Sequence, residues 1–130
     1  MSIRPDIEES LPVWESWIKH LLALAPRRSD MSLPFMANLL ELRQLDRLIS
    51  LCREILRRDN NDPSGLYYTG AVLTLRDAHD AKAAGLAFIN AALQAGISRI
   101  IPIPEWLKKR AAQFEPPRNI HRTLEIYFDK

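Results

Sequence analysis

The sequence predicts an all-α fold, on three observations. Apolar residues recur at steps of three and four along nearly the whole chain of 130 residues. Only four glycines occur, and no Asn-Gly or Asp-Gly pair offers a tight hairpin turn. Prolines stand where helices start or stop rather than inside apolar stripes. Together these predict about seven helices, stacked as antiparallel hairpins in a single domain over residues 1–130.

The first helix follows from Leu11, Trp14, Ile18, Leu21 and Leu22, which share one face. Ser10 is its expected N-cap, Pro12 sits in its first turn, and Pro26 stops it. A second helix opens at Ser32, with Pro34 in its first turn and Phe35, Met36, Leu39, Leu40 and Leu42 inside. The chain then has to turn tightly around Arg43-Gln44-Leu45. The third helix carries the buried stripe Leu45, Leu48, Ile49, Cys52, Ile55 and Leu56 and ends on Arg57-Arg58. Asp62-Pro63 marks the next start, with the carboxylate as cap and proline at the first helical position.

The fourth helix covers Pro63 to Leu75 and the fifth Asp80 to Ala95, with Asp77 or Asp80 as its cap. Gly70 and Gly85 lie inside these helices, where glycine costs about 1 kcal/mol relative to alanine. Close approach of the two backbones is the expected compensation. Gly96 is expected to close the fifth helix in a left-handed conformation. Ile97 to Pro104 reads as an extended apolar strap, since Pro102 and Pro104 forbid regular helix. Pro104 then starts a sixth helix, in which Trp106 is expected to be buried beneath a solvated basic face of Lys108, Lys109 and Arg110. After Pro116-Pro117 a last helix holds Ile120, Leu124 and Tyr127.

Composition narrows the function classes. Eighteen basic against sixteen acidic residues leave a formal charge of +2, too balanced to make nucleic acid a default partner. No apolar run approaches the roughly 20 residues that cross a bilayer, so no membrane is expected. The lone Cys52 and a start rich in acids point to a reducing, cytoplasmic setting. Cys52 falls on a buried stripe, where an inert thiol is the default. Asp77-Ala78-His79-Asp80 is the densest polar cluster, but such close spacing diverges on a helix and no second His or Cys cluster completes a metal site. Without a Gly-rich phosphate loop, a metal motif or a nucleophile–base pair, the chain is expected to be no enzyme and to need no cofactor.

A repeat emerges on aligning the third and fifth helices. Leu48-x-x-x-Cys52-x-x-Ile55 matches Ala84-x-x-x-Phe88-x-x-Ala91 at an offset of 36 residues, a period typical of stacked helical hairpins. The second hairpin resembles a tetratricopeptide repeat: Gly70 stands at the glycine of the motif's first helix, and Ala84, Phe88 and Ala91 match its small-x-x-x-aromatic-x-x-Ala signature. Leu66, Thr69, Leu73 and Gly96 depart from the motif's tryptophan, leucine, tyrosine and proline.

The resemblance implies a short solenoid with capping helices that binds a partner peptide in a groove lined by first helices. Carried over by register from Gly70, the groove positions are Tyr67, Ala71, Thr74 and Leu75, with Tyr67 as aromatic anchor. Trp14 and Trp17, one turn apart, form a second candidate contact, because tryptophan is enriched at binding hot spots. The expected function is therefore a non-catalytic adaptor or scaffold for another protein. The alternative is a small helical chaperone or accessory subunit that forms an obligate complex, homodimer included, through an exposed apolar surface.

Overall fold

The computed structural model describes residues 15–20, 33–76 and 78–128. Among these every regular element is helical. Residues 15–20 form helical turns. Six α-helices follow: α1 (Leu33–Glu41), α2 (Leu45–Arg58), α3 (Pro63–Thr74), α4 (His79–Gln94), α5 (Glu105–Ala111) and α6 (Ile120–Phe128). A 3-10 turn, Ile97–Arg99, links α4 to α5. The first helix's expected N-cap Ser10, its first-turn Pro12 and its stop at Pro26, and the opening Ser32 before α1, lie outside the described residues.

Several elements start and stop for the reasons anticipated. The turn between α1 and α2 is tight, and Arg43 takes a left-handed conformation with φ 60°, which costs a side-chain-bearing residue about 1–2 kcal/mol. Its guanidinium Nη1 donates to the Leu40 carbonyl at 3.2 Å. Helix α2 has Asp46 in its first turn and Arg57 and Arg58 in its last, the arrangement its dipole favours. Asp62 caps α3. Its Oδ1 accepts from the Gly65 amide at 3.0 Å and from Ser64 Oγ at 2.7 Å, and Pro63 occupies the first helical position.

Other boundaries differ from expectation. Helix α4 begins at His79 after an extended Ala78, with no side-chain cap. Asp80, read as a cap candidate, lies inside the first turn, and Asp77 is outside the described residues. The stretch after α4 is a 3-10 turn followed by irregular chain rather than an extended strap throughout. Gly96 does adopt the left-handed conformation, φ 97°, and Ile97 and Ile103 are buried on either side of exposed Ile100. Pro104 precedes α5 as its N-cap residue.

Among the described helices the most extensive contact is α3 against α4, and two glycines make it. A Cβ on Gly70 would lie 2.6 Å from the Gly85 carbonyl oxygen; one on Gly85 would lie 2.7 Å from that of Gly70. Neither could be a side-chain-bearing residue without pushing the backbones apart. Around this seam the interior divides in two. One cluster gathers Phe35, Met36, Leu39, Leu48, Cys52 and Val72 among α1, α2 and α3. The other gathers Leu56, Leu66, Leu73, Phe88, Ile97 and Leu124, so that α6 joins α2, α3 and α4. The repeat-aligned Cys52 and Phe88 are each fully buried, one in each cluster.

Candidate functional site

The sequence-derived groove positions fall in two environments. Tyr67, Ala71 and Leu75 follow one another at steps of four along α3 and its C-cap, hence on one face. Tyr67 is half-buried and packs against both interior clusters. Its ring meets Tyr68 edge-to-face at a centroid distance of 5.3 Å, and burial raises its phenol above the usual tyrosine range. Ala71 is half-buried, while Leu75 is 47% exposed. Thr74, seven residues after Tyr67 and three after Ala71, borders that face on the side that meets α4. Its Cγ2 is 2.7 Å from where a Gly85 Cβ would be, and its hydroxyl donates to the Ala71 carbonyl at 2.8 Å. Trp17 is 56% exposed beside the buried Ile18. Trp14 lies outside the described residues.

Thr74 opens onto a cavity of about 210 Å³ that it lines together with Lys82, Leu86, Trp106, Leu107 and Arg110. Helices α3, α4 and α5 meet there. Trp106 corrects the expectation of a buried tryptophan: it is 64% exposed. The cause lies in which face of α5 is packed inward. Leu107 and Ala111, one turn apart, point inward, and Ala111 is fully buried. That leaves Trp106 and Arg110, also one turn apart, together on the outer flank. Lys82 reaches the site from α4 and donates through Nζ to the Thr74 carbonyl at 3.5 Å and to that of Arg76, so its charge is fixed at the end of α3. Asn90 Nδ2 donates to the Phe114 carbonyl at 2.7 Å and anchors the chain that follows α5. The floor of the cavity is aliphatic and its rim carries two cations. Sequence reading located the basic stretch after Trp106 but not its convergence with Thr74, Lys82 and Leu86.

Cys52, expected as an inert thiol, is fully buried. Desolvation pushes its thiol up to about 12, with the Thr69 hydroxyl pulling the other way and the Asp62 carboxylate adding to the rise. Such a thiol is protonated and shielded at neutral pH. His20, His79 and His121 are exposed. Among the described residues no group of three or more His, Cys, Asp and Glu side chains converges as metal ligands, and no helix is long and apolar enough to cross a membrane. No protein-family model matches this chain, and no curated protein or solved structure is significantly similar to it.

Proposed function

We propose that the chain is a non-catalytic interaction module, a tetratricopeptide-like pair of helical hairpins that docks a partner polypeptide at the junction of α3, α4 and α5. The observation that carries this is the cavity under Trp106. A tryptophan 64% exposed, over Leu86 and Leu107 and next to two cations, has the make-up of an interface anchor. The volume decides the kind of ligand. At about 210 Å³ the cavity falls short of the roughly 300–1,000 Å³ of small-molecule sites and suits one or two side chains of a longer partner. Lys82 and Arg110 at the rim fit a segment that presents an apolar residue flanked by Asp or Glu.

The face bearing Tyr67, Ala71 and Leu75 belongs to the same helix and extends the surface along α3. Tyr67, held by Tyr68 and both interior clusters, would supply a rigid wall there, with Leu75 and Trp106 as the side chains a partner covers. Affinity would be modest, because only a short surface is available and ordering a peptide costs free energy.

Selection from a phage-displayed random peptide library on the folded chain tests this. Enrichment of peptides with an aromatic or aliphatic residue flanked by acids is expected, with at least tenfold weaker binding to Trp106→Ala and Arg110→Gln. Peptides that bind Trp106→Ala as well as the parent chain would overturn the docking site. A stable dimer by light scattering, with Trp106 buried between the copies, would favour the accessory-subunit reading instead.

A further inference from the structure

A second concavity lies on other elements and has a different chemistry. It is a cleft of about 430 Å³ among residues 15–20, α2, the end of α3 and Phe128 of α6. Its charged lining is Lys19, Arg53, Arg57 and Arg76 against Asp46 and Glu54. Among the described residues four cations thus face two anions, and Glu54 is already engaged, in part by Arg57 of the same set. Glu54 accepts from Arg57 Nη1 at 2.8 Å and from Arg58 Nη2 at 2.7 Å. The Arg58 hydrogen bond, outweighing the cost of burial and joined by the charges of Arg58, Arg57 and Lys19, holds its carboxyl below the usual range. Its described lining is therefore positive on balance, although the whole chain is nearly neutral.

Three of the cations are positioned by the fold. Arg53 and Arg57 are one turn apart on α2 and both also line an adjoining cavity of about 380 Å³ with His121 and Glu125. Arg76 is held with its guanidinium carbon 4.7 Å from the centre of the Phe128 ring, a cation–π contact that keeps the head group at the cleft wall. Ile49 and the same Phe128 supply an apolar patch beside the charges.

We infer that this cleft is a binding site for a small phosphorylated molecule, with Lys19, Arg53 and Arg76 on its phosphate oxygens and Ile49 and Phe128 against its body. The volume lies within the range of small-molecule sites, unlike the cavity under Trp106. Guanidinium forks match phosphate oxygens two at a time, which a surface scatter of lysines would not. The inference stands apart from the docking of a partner, since no residue lines both cavities.

Isothermal titration of the full chain with inorganic pyrophosphate, and separately with orthophosphate, tests it. Saturable one-to-one binding of pyrophosphate, tighter than that of orthophosphate, is expected. Arg53→Gln and Arg76→Gln should each weaken it at least tenfold with unchanged far-ultraviolet circular dichroism, and Lys109→Gln on the exposed face of α5 should leave it unchanged. Absence of saturable binding would overturn the site, as would an equal loss in Lys109→Gln, which would mean diffuse charge attraction. If one arginine variant fails to fold, the binding loss in the other decides the question alone.

Discussion

Gly70→Ala is expected to destabilise the protein substantially, although alanine is the better helix former. Two contributions compete. Alanine in a helix interior gains about 1 kcal/mol over glycine. Against this, the new methyl carbon would lie 2.6 Å from the Gly85 carbonyl oxygen, 2.7 Å from Ile89 Cγ1 and 3.1 Å from the Ile89 amide nitrogen. Two of these three neighbours are backbone atoms, so rotating a side chain relieves little and α3 and α4 have to separate. Overpacking of this kind costs typically ~1–3 kcal/mol and occasionally more, and the α3–α4 interface, the most extensive among the described helices, lies at its upper end. The net loss should be about 2 kcal/mol. At about 4 °C per kcal/mol for a domain of this size, Tm should fall by about 8 °C. Gly85→Ala, whose methyl would meet the Gly70 oxygen and Thr74 Cγ2 at 2.7 Å each, should behave alike. The double variant should lose less than the sum, because one methyl already opens the space for the other. Gly65→Ala is the internal comparison: its neighbours at 3.1 Å are the side-chain ends of Ile55 and Leu56, which can yield, so its loss should be smaller. Thermal and urea unfolding followed by circular dichroism would measure all four. A Gly70→Ala protein as stable as the parent would refute the reasoning.

Other expectations follow from single contacts. Asp62→Ala removes the buried cap of α3 and should cost about 1–2 kcal/mol in urea unfolding, whereas Asp80→Ala, which caps nothing, should cost little. Arg43→Gly should stabilise by about 0.5–1 kcal/mol, since glycine tolerates the left-handed φ of 60° and the loss of one exposed hydrogen bond offsets part of the gain. Cys52 should resist thiol reagents at pH 8 in the folded chain and react at the rate of unfolding in urea. Because its folded pKa is raised to about 12 from 9.0, the unfolded thiol ionises first. Its contribution is complete below pH 9 and declines as pH rises toward 12, so alkaline titration should lower Tm less in Cys52→Ser than in the parent. Trp106→Ala should leave Tm within about 2 °C of the parent, since the ring is mostly in solvent.

Much of the fold was legible because local chemistry dictated it. Asp62-Pro63 combines a capping carboxylate with a preset φ, and both favour a helix start. Glycine within an otherwise helical pattern pointed to close approach, and Gly70 and Gly85 do meet. The stripe of α2 needed only its period. Helix ends were less readable where no side chain enforces them: α4 starts at His79 from an extended Ala78 that no composition rule marks. The candidate site was the least legible part. Trp106, Leu107 and Ala111 are all apolar, and over two helical turns the sequence does not say which of them faces out. Packing of Ala111 decided it. Arg53 and Arg57 could be placed on one face from spacing, but the arrival of Lys19 and Arg76 beside them depends on three separate elements, and a formal charge of +2 for the chain concealed the local excess.

Central to the functional account is a partner's apolar side chain seated at the junction of α3, α4 and α5. Nuclear magnetic resonance of the isotope-labelled chain, titrated with a library-selected acidic peptide, reads this directly. The Trp106 indole N–H and the amides of Thr74, Leu86 and Arg110 should shift and saturate together. Shifts confined to other surfaces, with the Trp106 indole unmoved at saturation, would contradict it.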